Sequence, residues 1–187
     1  APEDMELFKK YDVKVSHNPV SNMILASGVA PVPEYLEKGS SVGLATDGAA
    51  SNDNQNMLEV LKTTALVHKL HTRNAAVVSA NQVLEMATLG GAKCIAQENR
   101  IGSIEVGKQA DFVIYNPKAS NSVPVADPIS TLVYSSGGNN IDTTVVAGKV
   151  LLDHGRITTV NEEEVMEKLQ EIAYRIRCKA GLGNSHW

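Results

Sequence analysis

The chain has 187 residues, 43% of them apolar and 20% charged, with a net charge of −4: the balance of an ordinary folded domain, long enough for one good core or two modest ones. Lys and Arg are scattered and aromatic residues make up only 4%, which excludes a phosphate-tracking or base-stacking surface and with it nucleic acid as a partner class. No apolar run approaches the roughly 20 residues of a membrane span and the first residues lack a basic and apolar leader pattern, so no membrane partner is expected; Cys94 and Cys178 fit no CxxC spacing and are expected as reduced thiols of a cytoplasmic protein.

The chain opens on a helix over Pro2 to Tyr11, with Pro2 suited to a first turn and Glu3, Asp4 and Glu6 complementing the helix dipole. Ala1 is not an initiator methionine, and a chain that starts in mid-architecture is expected to be part of a longer protein. A short run at Val13 to Ser16 follows, then a helix around Pro33 to Lys38 closed by Gly39, then an apolar run from Ser41 to Thr46. Both short runs feed polar, turn-rich segments, His17-Asn18-Pro19 and Asp47-Gly48-Ala49. Helix, strand, helix, strand in this order implies a parallel sheet with helices outside it. In such sheets the side chains that do chemistry sit at the carboxyl ends of strands, which is where His17 and Asp47 fall. Pro19 is expected to prevent regular continuation beyond His17.

Two packing helices are expected next, Gln55 to Leu70 and Asn81 to Cys94, with apolar stripes through Met57, Leu58, Leu61 and Ala65 and through Val83, Leu84, Ala87 and Ala92. Met57 and Met86 are read as core residues. After residue 100 the chain turns to Gly-punctuated short strands: Gly102 to Ile104 with Val106 to Lys108, Asp111 to Tyr115, Thr143 to Ala147, and Lys149 to Leu152 with a hairpin turn around Gly148. The stretch from Asn116 to Asn140 is expected to be partly a long loop. A last amphipathic helix from Glu162 to Lys179 is capped by Asn161 and patterned by Val165, Leu169, Ile172 and Ile176.

Three segments in this order carry a resemblance: Ser16-His17-Asn18-Pro19-Val20-Ser21-Asn22 with Ala26-Ser27-Gly28 and Ala30-Pro31, then Thr46-Asp47-Gly48-Ala49-Ala50-Ser51-Asn52, then Gly102 through Val113. Together they resemble the amidohydrolase superfamily, within it the 5-methylthioadenosine/S-adenosylhomocysteine deaminases and their guanine deaminase and triazine hydrolase relatives. The resemblance implies an α/β fold: the last strands and helices of a (β/α)8 metal-dependent hydrolase barrel (a TIM barrel) over residues 1–100, part of a small β-sandwich over 101–157, and a C-terminal helix and tail over 158–187. It implies a hydrolytic deaminase of adenine-containing nucleosides, a small-molecule substrate, and one divalent metal, zinc before iron or manganese. Another amidohydrolase of the guanine deaminase or triazine hydrolase type, or a non-catalytic module that keeps the fold, are the alternatives.

On the same resemblance Asp47 is the metal ligand and proton acceptor, and His17, Ser51 and Asn52 are substrate-binding. A carboxylate at a strand end can reach both a divalent metal and its water, whose pKa a zinc ion lowers to about 7. Read without the resemblance, Asp47-Gly48 is a common turn dipeptide, a lone His17 is a packed residue, and Ser21 and Asn22 organise their loop. The Gly107 to Asp111 segment is structural, and His68, His71, His154 and His186 form no ligand pattern. No HxH pair occurs, so the other metal ligands are expected outside this chain, the segment alone is expected to be inactive, and it should associate with the rest of the barrel or with a second copy.

Overall fold

The computed structural model describes residues 2–182, so His186 lies outside the described residues. Helix α1 (Pro2–Lys10) leads into strand β1 (Val15–His17), which runs parallel to β2 (Val42–Leu44), with His17 opposite Leu44. Parallel neighbours need a crossover; α2 (Pro19–Ile24) and α3 (Val32–Glu37) make it. The strand stops at His17, as expected of the following Asn18-Pro19, and Pro19 also opens the unexpected helix α2, because a first turn has no use for the N–H that proline lacks. All three residues of β2 are buried, as a strand covered on both faces requires.

The covering helices follow a short helix, α4 (Ala49–Asn52). Helix α5 (Met57–Thr72) begins where the Asn56 side chain accepts the Leu58 N–H at 3.0 Å. Helix α6 (Ala80–Glu85) begins in a reciprocal Ser79–Gln82 capping box and passes through a π-helical turn at Met86–Gly90 into α7 (Gly91–Cys94). Val32, Val60, Ala65, Val83 and Met86 meet in the core between these elements. The helix can lie against β2 only because glycines face it: a Cβ on Gly90 would stand 2.4 Å from the Val42 carbonyl oxygen, and one on Gly43 2.9 Å from the Gly91 Cα.

Beyond α7 the expected strands at residues 102–108 are absent. The segment forms successive turns instead, tied by the Gln109 N–H donating to the Arg100 carbonyl at 2.8 Å and by the Lys108 ammonium beside Ser103 and Glu105. An antiparallel sheet then runs in the order β3 (Phe112–Tyr115), β4 (Ile141–Val146), β5 (Lys149–Asp153), β6 (Arg156–Ile157). Its β4–β5 hairpin turns on Ala147 and Gly148, both at positive φ (48° and 77°), the geometry that matches the twist of paired strands.

The connection from β3 to β4, expected as partly a loop, contains α8 (Pro128–Tyr134), whose Val133 is fully buried in the core of the first half. Asp127 caps it by accepting the Ser130 N–H at 2.9 Å. Helix α9 (Glu162–Lys179) starts at Asn161 as its sequence indicates, yet buries nothing, and its apolar stripe stands in the open. No helix among the described residues is long and apolar enough to cross a membrane.

Candidate active site

Strands β1 and β2 end side by side, and the Ala45 N–H donates to the His17 carbonyl oxygen at 3.1 Å, so the two following segments leave the sheet together. On the first, Ser21 of α2 is 2% exposed. On the second, Asp47 takes a left-handed backbone conformation at φ 65°, a region that Asp tolerates better than most residues because its short polar side chain can bond locally. Its carboxylate does so: Oδ1 accepts the Gly48 N–H at 2.8 Å, and Oδ2 accepts the Ser21 hydroxyl at 2.7 Å across the strand ends. The Ser21 hydroxyl, the Gly48 amide and the Ser51 hydroxyl, in that order, hold the Asp47 pKa below the usual carboxylate value. The side chain is exposed, so its remaining lone pairs face outward.

The loop carrying Asp47 is tied on every side. The buried Asn52 amide donates to the Thr46 carbonyl oxygen, and the Gln55 amide donates to the Asp47 carbonyl oxygen at 3.2 Å. The Thr46 hydroxyl donates to Gln55 Oε1 at 2.8 Å, and the Ser51 hydroxyl donates to the Gly48 carbonyl oxygen at 3.0 Å. Asn52 Oδ1 is buried with no partner among the described residues.

His17 is 2% exposed, and its partner comes from α5: the Nε2 atoms of His17 and His68 stand 3.1 Å apart, with the rings tilted by 42°. Burial, then the His68 ring, push the His17 pKa down to about 4. Burial also lowers that of His68, with nearby His71 adding to the effect and Glu34 opposing it. Both rings are therefore neutral at pH 7.

The structure thus brings Asp47, Ser51 and Asn52 together on one turn, with His17 at the neighbouring strand end. Sequence reasoning missed two contributors. The sequence suggests only loop organisation for Ser21, whose contact with Asp47 spans 26 positions. His68 is packed, as its sequence context suggests, but against His17, 51 positions away. Nothing in the spacing of either pair announces the contact. Among the described residues no three His, Cys, Asp or Glu side chains converge on a point where a metal ion could sit.

The Amidohydrolase family model matches residues 1–151. The chain is 46% identical over 177 residues to a 5'-deoxyadenosine deaminase of Methanosarcina acetivorans, an alignment covering 95% of this chain and 40% of that protein. It is 40% identical over 174 residues to a 5-methylthioadenosine/S-adenosylhomocysteine deaminase of Syntrophomonas wolfei, covering 93% of this chain and 40% of that one. In three dimensions it superposes on an adenosine deaminase from Xanthomonas campestris with bound zinc, at a TM-score of 0.92 and 32% identity, over 95% of this chain and 40% of that chain. The chain therefore spans about 40% of the length of these relatives. Its α/β fold, with paired parallel strands and outer helices followed by a small antiparallel sheet, is the one expected for part of a hydrolase barrel. By the family match and by these likenesses the chain belongs to the amidohydrolase family.

Proposed function

We propose that this chain forms one wall of the active site of a hydrolytic deaminase that acts on adenine-containing nucleosides of the 5'-deoxyadenosine, methylthioadenosine and S-adenosylhomocysteine class. One observation carries the reading: the Asp47 carboxylate is exposed at a strand end, kept ionised by the Ser21 and Gly48 donors, in a chain nearly half identical to a protein named for that reaction. In this reading residues 1–100 belong to the barrel, 101–157 to a β-sandwich, and 158–187 to a terminal helix and tail.

An anionic oxygen donor with free lone pairs fits a divalent cation, and zinc is the proposed one, as in the solved Xanthomonas campestris relative; iron or manganese would accept the same donor. A catalytic zinc site takes about three protein ligands, so the others come from outside these residues. Such an ion supplies a water acidified to near neutral pH. Asp47 would be one of the residues that hold the ion and is placed to act as the proton acceptor beside it. Ser21 and Gly48 fix its orientation; His17 and Ser51 contact the substrate. The substrate-binding role of Asn52 rests on its unpaired Oδ1, since its amide already holds the loop at Thr46. The open apolar residues of the sheet and α9 support association with the remainder of the barrel or with a second copy, and the two free cysteines support a cytoplasmic setting.

The test is ammonia release by the whole protein carrying this segment, offered 5'-deoxyadenosine, methylthioadenosine, S-adenosylhomocysteine, adenosine and guanine. Turnover of the first three is expected, with Asp47→Asn lowering kcat/KM by about 10³-fold, within the range for loss of a catalytic proton acceptor. Silence on all five substrates would overturn the reading.

A further inference from the structure

The Asp47 carboxylate is held by Ser21 and Gly48, but those bonds orient its oxygens only as well as the backbone beneath them is placed. Asp47 sits at φ 65°, where a residue other than glycine stays only if its surroundings keep it. Among the described residues no backbone N–H donates to its carbonyl oxygen. The bond comes instead from a side chain eight positions on, the Gln55 amide, at 3.2 Å.

Every hydrogen of that amide is engaged in this loop. Nε2 donates to the Asp47 and Asn54 carbonyl oxygens at 3.2 and 3.0 Å, and Oε1 accepts the Thr46 hydroxyl at 2.8 Å. The Thr46 hydroxyl also lies 3.2 Å from the Asp47 carbonyl oxygen, but its single hydrogen makes the shorter bond, at Gln55. Gln55 is exposed, so water would serve its amide equally well, and ordering the side chain costs rotamer freedom. The arrangement therefore does nothing for Gln55 itself; what it holds is Asp47.

Gln55 is in turn fixed to α5. Beside it, Asn54 Oδ1 accepts the Asn56 N–H at 2.8 Å, the Asn54 amide donates to Glu59 at 2.5 Å, and Asn56 caps the Leu58 N–H. Helix α5 is anchored in the core through Val60, Leu61 and Ala65. Bonded and packed groups thus connect the core to the Asp47 carbonyl oxygen.

We infer that Gln55 is a positioning residue: it ties the Asp47 backbone to the start of α5, so that the carboxylate meets a divalent cation already oriented. The inference rests on the proposal that Asp47 holds such an ion, and it deepens that proposal by naming the group that keeps the ligand in place. Removing a partner that stands behind a metal ligand typically weakens metal binding or activity by about 10–100-fold.

The test uses the whole protein carrying this segment. It reads zinc affinity by competition with a chelator, the urea midpoint of the metal-free protein, and the Gly48 amide in protein labelled with 15N-glycine, assigned through Gly48→Ala. Gln55→Leu should weaken zinc binding by about tenfold or more and move the resonance of the Gly48 amide, which donates to Asp47 Oδ1. The urea midpoint should stay where it was, as for an exposed side chain. Gln55→Glu keeps the length and the acceptor for Thr46 but has no N–H to donate. It should lose zinc as Gln55→Leu does, although an added carboxylate would by itself attract a cation. Zinc affinity unchanged in Gln55→Leu or retained in Gln55→Glu overturns the inference, as does a Gly48 amide that Gln55→Leu leaves unmoved. A zinc loss matched by a lower urea midpoint also overturns it, since the bond would then serve the fold as a whole. An unsubstituted protein that binds no zinc overturns the metal reading and the inference together, whereas equal binding by parent and variants overturns the inference alone. No turnover is read, so a failed deaminase assay leaves these results standing.

Discussion

Around β1 and β2 the chain buries its own apolar side chains, while the β3–β6 sheet, Val145 apart, and α9 leave most of theirs open. Val32, Val60, Val83 and Val133 are at most 1% exposed, whereas Val113, Ile114, Val150 and Leu169 are 46–64% exposed. Both regions have well-formed caps and strand pairings, at Ser79 and Asn161 and along β1–β2 and β4–β5. Local structure is therefore equally specified in the two; tertiary burial is not. Since removal of apolar surface from water is the main stabilising contribution to folding, stability should be concentrated in the first region, which also holds Asp47 and the histidine pair.

The largest effect should come from the seat of the helix on β2. Gly90→Ala places a methyl group against backbone that cannot move aside, at 2.4 Å from the Val42 oxygen, and should cost about 3 kcal/mol or more in urea unfolding. A variant as stable as the parent would show that this close approach does not order the first region.

The next effect is a pH dependence. The native pKa of His17 lies below its ordinary value, 6.5 falling to about 4, so the folded state excludes a proton that the unfolded chain takes up as pH drops. The stabilisation is complete above pH 6.5 and is lost progressively as pH falls toward about 4. The loss should approach about 3 kcal/mol at the acid end, and His17→Gln should flatten the curve across that window. Unfolding free energies that stay level from pH 6.5 down to 4.5 in the unsubstituted protein would break the picture of a buried neutral pair.

The smallest effect belongs to the second region. Leu169→Ala on α9, at a side chain 64% exposed, should change the unfolding free energy of this chain by no more than about 0.5 kcal/mol. A cost of about 2 kcal/mol or more, the size seen for buried leucines, would mean that the stripe is covered and would erase the contrast between the two regions.

Much of this architecture was legible in the sequence because it is written in local patterns. The apolar runs before His17 and Asp47, the helical stripes through Leu61 and Val83, and the Asn161 cap each lie within a few neighbouring residues. So did the signal for α8, an Asp127 cap followed by Pro128, but it was hidden in a stretch read for its Pro and Ser content. Pro19 marks the end of β1 correctly, while the helix it opens stays hidden because the same ring that stops a strand suits a helix start. Residues 102–108 alternate like short strands yet bond among themselves, leaving no partner strand to pair with. The site divides in the same way. Asp47 and its turn follow from local chemistry, whereas Ser21 and His68 reach their partners only after the sheet and α5 have assembled.

The π-helical turn at Met86–Gly90 bears on how this protein can change length. A turn closed by i to i+5 bonds holds about one residue more than an α-helical turn. Along residues 80–94 that surplus lies within Met86–Gly90, and the helix on either side keeps its angular phase: Val83 points into the core, and the Cys94 thiol reaches the Val15 carbonyl oxygen at 3.5 Å. Deleting the exposed Thr88 would leave a continuous α-helix with both faces still aligned. Deleting a residue from α6 instead would rotate the preceding turn by about 100° and swing its buried face toward water. Single-residue deletions in this helix should therefore be absorbed at Met86–Gly90 and rejected on either side of it.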